Sequence, residues 1–249
     1  MGPFLGLGTP FASKAAMNTG LYRGVGAMDA AEKRLEAVTQ NLANVRTPGF
    51  KRQAPTHHAF RVGGPDSTEY GVGSTGRIDL SQGDLQRTGN ELDLGFLGRG
   101  FFEVEGPNGE LFTRNGSFHV DDAGVLLTGD NFPVAWKGVR GDIQPAGEAV
   151  KIDSKGVVMQ GGAKVGELKL VDFNAPERLR LTDAGYFLAD PALVRIDAEG
   201  DVHQGSLEAS NASGVNELVN LITVQRSHEM AANVMKMIDQ TYQRLSQQR

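Results

Sequence analysis

Leu221-Ile222-Thr223-Val224-Gln225-Arg226-Ser227-His228-Glu229-Met230-Ala231-Ala232-Asn233-Val234-Met235-Lys236-Met237-Ile238 decides the fold, because two interleaved heptad series run through it. Leu221, His228, Met235 and Tyr242 fall seven apart; Val224, Ala231, Ile238 and Leu245 follow each of them by three. The 3-4 alternation predicts a helix with a narrow seam suited to coiled-coil packing. That seam is narrower than the stripe of a helix sunk in a globular core. Working outward, the other end of the chain repeats the pattern. Leu21, Met28, Leu35 and Leu42 fall seven apart, with Gly24, Ala31, Val38 and Val45 three behind. Two seam helices at opposite ends of one chain point to an assembling protein rather than an enzyme. His228 is the one histidine placed on a seam, where a packing or register role is expected of it.

Between these helices the composition changes. Most of the 33 glycines lie between residues 51 and 210, and no proline follows Pro191. The first helix is expected to start near Asn18 or Thr19, either of which can cap it. It should stop at Asn44, because Thr47-Pro48-Gly49-Phe50 fits a type II turn and the residue before a proline avoids the helical region. The last helix is expected to begin at a cap near Asn211 or Ser213. In the middle, Gly100-Phe101-Phe102-Glu103-Val104-Glu105, then Pro107-Asn108-Gly109, then Leu111-Phe112-Thr113 reads as a hairpin. Further turn signals every eight to twelve residues favour an antiparallel β-sandwich or barrel-like domain. The chain therefore reads as α+β, with N- and C-terminal coiled-coil-type helices flanking a central antiparallel all-β domain. The expected boundaries are an extension at 1–16, the first helix at 17–50, a linker or extended arm at 51–76, the β-rich domain at 77–205 and the last helix at 206–249.

Composition narrows the function. The net charge of −5, with both signs interspersed, argues against nucleic acid or an anionic membrane surface, which would need a basic excess. The chain has no cysteine, so disulfides and thiolate metal sites are excluded. No run is long enough for a membrane-spanning helix. Lys14 comes too late to be the leading charge of a secretory signal. His57 and His58 are adjacent and lack zinc-ligand spacing; His119 and His203 read as isolated surface residues. Gly98-Arg99-Gly100 opens a strand, not a helix that could hold a phosphate. Asp121-Asp122 reads as a turn. No catalytic constellation, metal site, cofactor or small-molecule site is apparent. The seam itself has a plainer reading, an intramolecular helical hairpin that caps the β-domain. Burying a leucine or valine contributes about 1.5–3 kcal/mol, whereas ordering each residue costs about 1–2 kcal/mol. An isolated pair is therefore marginal, and bundled copies would bury more.

Several stretches resemble a known family. Asn41-Leu42-Ala43-Asn44 followed by Thr47-Pro48-Gly49-Phe50-Lys51 is similar to the signature that closes the first helix of bacterial flagellar rod and hook proteins. Leu92-Asp93-Leu94, Gly98-Arg99-Gly100-Phe101-Phe102 and Phe112-Thr113-Arg114-Asn115-Gly116-Ser117-Phe118 resemble the family's central block. Leu207-Glu208-Ala209-Ser210-Asn211 resembles the motif that opens its last helix. The motifs fall in order over nearly all of residues 17 to 249. The resemblance implies a non-enzymatic axial subunit of the flagellar basal body, without cofactor. It implies export through the flagellar type III channel with no cleaved signal, then helical polymerisation in the periplasm. The terminal helices would form an inner tube, with copies of the same chain and other rod or hook proteins as partners. The chain is short, which departs from hook proteins, and residues 51–76 are short for a distal rod; a proximal rod protein is expected slightly ahead of a distal one. Met17-Asn18-Thr19-Gly20 looks like the family's start, so residues 1–16 are extra. The rival classes are a carbohydrate-binding or enzymatic β-domain with helical oligomerisation arms, for which Trp136, Tyr70 and Tyr186 would be available, and a secreted adhesin or tail-fibre protein.

Overall fold

The structure, a computed structural model, describes residues 10–61, 70–139, 141–182 and 184–247. Two long helices bracket a set of antiparallel strands: α1 spans Pro10–Ala43 and α2 spans Gly214–Gln247. The chain forms two compact units. One holds α1 up to Gln40, the segment 54–77 and the chain from Val215 onward; the other holds 41–53 and 78–214.

In the helical unit, α1 begins well before Asn18. Ala12, Lys14, Ala15 and Ala16 are good helix formers, and proline at a first helical turn loses no intrahelical bond. The residues expected to be an extension before the first helix thus contribute to it from Pro10. Segment 51–76 shows no periodic signal in its sequence, yet Thr56–Arg61 and Tyr70–Thr75 pair as an antiparallel ribbon in register from Thr56↔Thr75 to Arg61↔Tyr70. Backbone hydrogen bonds build that ribbon, and apolar alternation does not reveal them. α1 ends at Ala43 and the turn follows as expected: Phe50 N donates to Thr47 O at 3.3 Å, and Gly49 takes the φ of +70° that the third turn position demands. α2 begins at Gly214, directly after Ser213.

The β unit is not a sandwich of two large sheets. Its longest sheet has six antiparallel strands in the order Arg180–Leu181, Phe187–Leu188, Gly109–Thr113, Phe101–Gly106, Leu170–Phe173, Arg195–Asp197. Smaller two- and three-stranded sheets accompany it, including Leu94–Arg99 with Glu199–Gln204 and Leu85–Arg87 with Ser206–Glu208. The last pair carries the β region past residue 205, to Glu208. The expected hairpin is present, with Gly106 opposite Gly109 across Pro107 and Asn108. Its first strand is buried on both faces. Phe102 and Val104 enter a core with Leu94, Phe96, Phe118, Leu126 and Val158. Phe101 turns to the other side, against Phe112, Phe173 and Phe187. Successive residues point to opposite faces, so two cores share one strand, which explains why Gly100–Val104 reads as a continuous apolar run broken only by Glu103. His119 and His203 are exposed, and Asp121 closes a turn by accepting from Ala123 N and Val125 N.

Candidate functional site

The seams correspond to the shielded sides of both helices. On α1, Ala31 and Val38 are buried, and Met28, Leu35, Leu42 and Val45 are half-buried, whereas Asp29, Glu32, Lys33, Arg34 and Glu36 are exposed. On α2, Val224 is buried, and Leu221, His228, Ala231, Met235 and Ile238 are half-buried. Leu21, Tyr242 and Leu245 lie outside the residues whose side chains the structure describes, as do His57 and His58.

α2 carries a second apolar face that the heptad reading missed. At about 100° per residue, Val215, Val219, Ile222, Met230 and Met237 fall on the side opposite Val224, flanked by Leu218 and Val234. All seven are between 46% and 73% exposed. α1 has charged residues in the equivalent place. The spacing 215, 218, 219, 222, then 230, 234, 237 is itself a helical stripe, hidden in sequence by Arg226 in the gap.

The family-like motifs meet in the β unit. At their centre is a buried ionic cluster: Glu208 is 0%, Lys51 1% and Arg114 5% exposed. Lys51 Nζ donates to Glu208 Oε1 at 2.5 Å and to Ser81 O at 2.6 Å. Arg114 Nη1 donates to Glu208 Oε2 at 3.2 Å, and Gly83 N donates to Glu208 Oε1 at 2.9 Å. Arg114 Nη2 reaches Gly98 O at 2.8 Å, and its guanidinium lies 5.2 Å from the Phe101 ring centre and 5.5 Å from that of Phe96. Burial pulls the Lys51 ammonium below the usual lysine range, against the pull of Glu208, and Arg114 lowers it further. Burial likewise lowers the Arg114 guanidinium, with Glu208 opposing. One carboxylate serves two cations, so Glu208 is the member whose loss leaves most charge unpaired.

Asparagines and glycines complete the junction. The Asn41 side chain, fully buried near the end of α1, pairs with Gln53 like a strand neighbour: Nδ2 donates to Gln53 O and Oδ1 accepts from Gln53 N, both at 2.8 Å. Asn211, three residues before α2, does the same for the other motif. Its Oδ1 accepts from Arg52 N at 2.7 Å, and its Nδ2 donates to Asp79 O at 2.8 Å. Asn44 Oδ1 accepts from the Thr47 hydroxyl, Asn115 Oδ1 from Ser117 N, and Ser210 Oγ from Ala212 N, each tightening its own turn. Pro48 sets the turn beside Gly49, and Phe50 is buried beyond it. Gly49 N donates to Glu208 O at 2.7 Å, and a Cβ on Gly49 would come 2.2 Å from Asn115 N. A Cβ on Gly116 would come 1.8 Å from Leu94 O. Gly100 separates the strands Leu94–Arg99 and Phe101–Gly106. Lys51 and Glu208 were legible only as parts of motifs; the available signal was one charged residue embedded in each glycine- or alanine-containing block.

Open cavities occur among the described residues. One of about 400 Å³ is lined by Val45, Pro48, Gln86, Leu207 and Ser210 among others, and one of about 740 Å³ by Asp142, Gln144, Glu148, Gln160 and Lys164 among others. Among the described residues no cluster of metal-ligating side chains forms, and no helix is long and apolar enough to cross a membrane.

Comparison with known proteins assigns the motifs. Residues 21–51 match the flagella basal body rod protein family, 96–160 the D1 domain of the flagellar hook protein FlgE/F/G family, and 203–248 the C-terminal region of the flagellar basal body rod FlgEFG family. The chain is 31% identical over 236 residues to the flagellar basal-body rod protein FlgF of Caulobacter vibrioides, covering 90% of this chain and 94% of that one. It is also 31% identical over 252 residues to FlgG of Buchnera aphidicola subsp. Schizaphis graminum, covering 88% and 95%. FlgG of Bacillus subtilis is 27% identical over 255 residues, covering 90% and 97%. With all three motif blocks matched in order, the chain belongs to the flagellar basal-body rod protein family, a family of structural proteins.

Proposed function

We propose that this chain is a rod subunit that polymerises helically through α1 and α2 as coiled-coil-type packing elements, with copies of itself and other rod or hook proteins as axial neighbours. In this reading it reaches the periplasmic rod through the flagellar type III export apparatus without a cleaved signal, and takes a proximal rather than a distal position. The shortness of segment 51–76 after α1 supports the proximal choice. The observation that carries the reading is the two-faced character of α2. Its seam is shielded within the subunit, while Val215, Val219, Ile222, Met230 and Met237 opposite, with Leu218 and Val234 flanking them, remain in water. An intramolecular hairpin needs one apolar face; a helix in a bundle of copies buries both. A screw-related neighbour places the same contact at each addition, so the assembly extends as a filament. Length-dependent light scattering of the purified chain, with electron microscopy of the product, tests this. Straight tubes are expected, and a discrete closed oligomer would contradict it. Leu35→Asp and Ile238→Asp each place a charge on a shielded seam, costing several kcal/mol, and should abolish tube formation.

A further inference from the structure

We infer that the Lys51–Glu208–Arg114 cluster is a latch that holds the end of α1 and the start of α2 in the β unit of the free subunit, so that both helices are nucleated before any neighbour arrives. The inference concerns the monomer and stands apart from the polymerisation proposed above.

The geometry carries it in three steps. First, the compact β unit includes residues 41–53 and continues to Gly214, so the last residues of α1 and the first of α2 belong to it and not to the helical unit. Second, these segments are fixed by groups at large sequence separation. Glu208 ties Lys51 to Arg114, Asn41 holds Gln53, and Asn211 holds Arg52 and Asp79. All of these bonds lie within the β unit. Third, helix formation is limited by its first turn, while each later residue adds one hydrogen bond for one residue fixed. A helix whose end is already anchored skips the costly step. α1 then grows from Asn41 toward its N-terminus and α2 from Gly214 toward its C-terminus. The distal parts of both helices remain free to order on assembly.

Hydrogen exchange of the full-length monomer, read by mass spectrometry, tests the latch. Peptides covering 41–53 and 206–214 are expected to be protected as strongly as the core strand Phe101–Gly106. Protection should fade along α1 toward its start and along α2 toward its end. Glu208→Gln strands two buried cations and should accelerate exchange in both junction peptides by at least about tenfold. Lys51→Met removes the one member of the cluster on the α1 side and leaves the Arg114–Glu208 pair intact, so exchange should quicken in the 41–53 peptide while the 206–214 peptide stays close to wild type. Junction peptides that exchange in wild type as fast as the distal helices would overturn the inference, as would Glu208→Gln without effect there. Should Glu208→Gln unfold the core strand as well, Asn41→Ala and Asn211→Ala decide. Faster exchange confined to the neighbouring helix end supports the latch, and unchanged exchange overturns it.

Discussion

Glu208 Oε1 accepts a 2.5 Å hydrogen bond from Lys51 Nζ, although 157 residues separate the two, and both side chains are shut off from water. The pair joins the turn after α1 to the strand before α2. Buried pairs contribute little net stability, since desolvation offsets their attraction, but breaking one leaves an uncompensated charge. The pair therefore specifies which segments meet.

The members of the cluster should differ in their cost. Glu208→Gln leaves Lys51 and Arg114 facing each other without a counter-charge and should destabilise the β unit by about 3–5 kcal/mol. Lys51→Met leaves one cation and one anion and should cost under about 2 kcal/mol. Denaturant unfolding followed by near-ultraviolet signals from the β unit would measure both; equal losses would contradict the one-carboxylate, two-cation arrangement.

Gly49 and Gly89 separate two reasons for a glycine. Both have positive φ, +70° and +78°, but a Cβ on Gly49 would strike the Asn115 backbone while one on Gly89 would meet open space. Alanine at Gly89 should cost about 1 kcal/mol for the backbone conformation alone. Alanine at Gly49 should cost that and a displacement of the Arg114–Asn115 segment, for a total of several kcal/mol. Unfolding midpoints that shift equally would rule out the close approach as the reason for Gly49.

Alkaline stability should depend on Tyr186. Its hydroxyl donates to Asp130 Oδ2 at 2.7 Å and lies 3.0 Å from the Thr128 hydroxyl. Burial, with the Asp130 carboxylate adding to it, pushes the phenol up to about 12 from 10.0. The folded-state value is raised, so the stabilisation is fully present below pH 10 and is lost as pH rises from about 10 to about 12. The stability advantage of wild type over Tyr186→Phe should shrink across that window. A constant difference between the two from pH 8 to 12 would contradict the raised value.

How far the sequence can be read follows from what each feature leaves in it. The heptads of α1 and α2 are legible because one residue in three or four must be apolar along each seam. The Phe101–Thr113 hairpin and the Thr47–Phe50 turn are legible because glycine and proline answer local backbone needs. The ribbon of Thr56–Arg61 with Tyr70–Thr75 is not, since its pairing lies in the backbone. The early start of α1 at Pro10 was masked by a family-like beginning at Met17. The Lys51–Glu208–Arg114 cluster joins residues from three separated motifs, so no local pattern shows that they touch. The outer stripe of α2 is a matter of exposure, which only the folded chain reveals.

The central claim, assembly through a two-faced α2, is tested most directly by Ile222→Asp with Met230→Asp in the full chain. Both side chains are more than half exposed in the subunit, so circular dichroism and the unfolding midpoint should match wild type to within about 0.5 kcal/mol per site. Electron microscopy should then find tubes from wild type and only monomers from the double variant. Tubes from the variant equal in number and length to those of wild type would contradict the account.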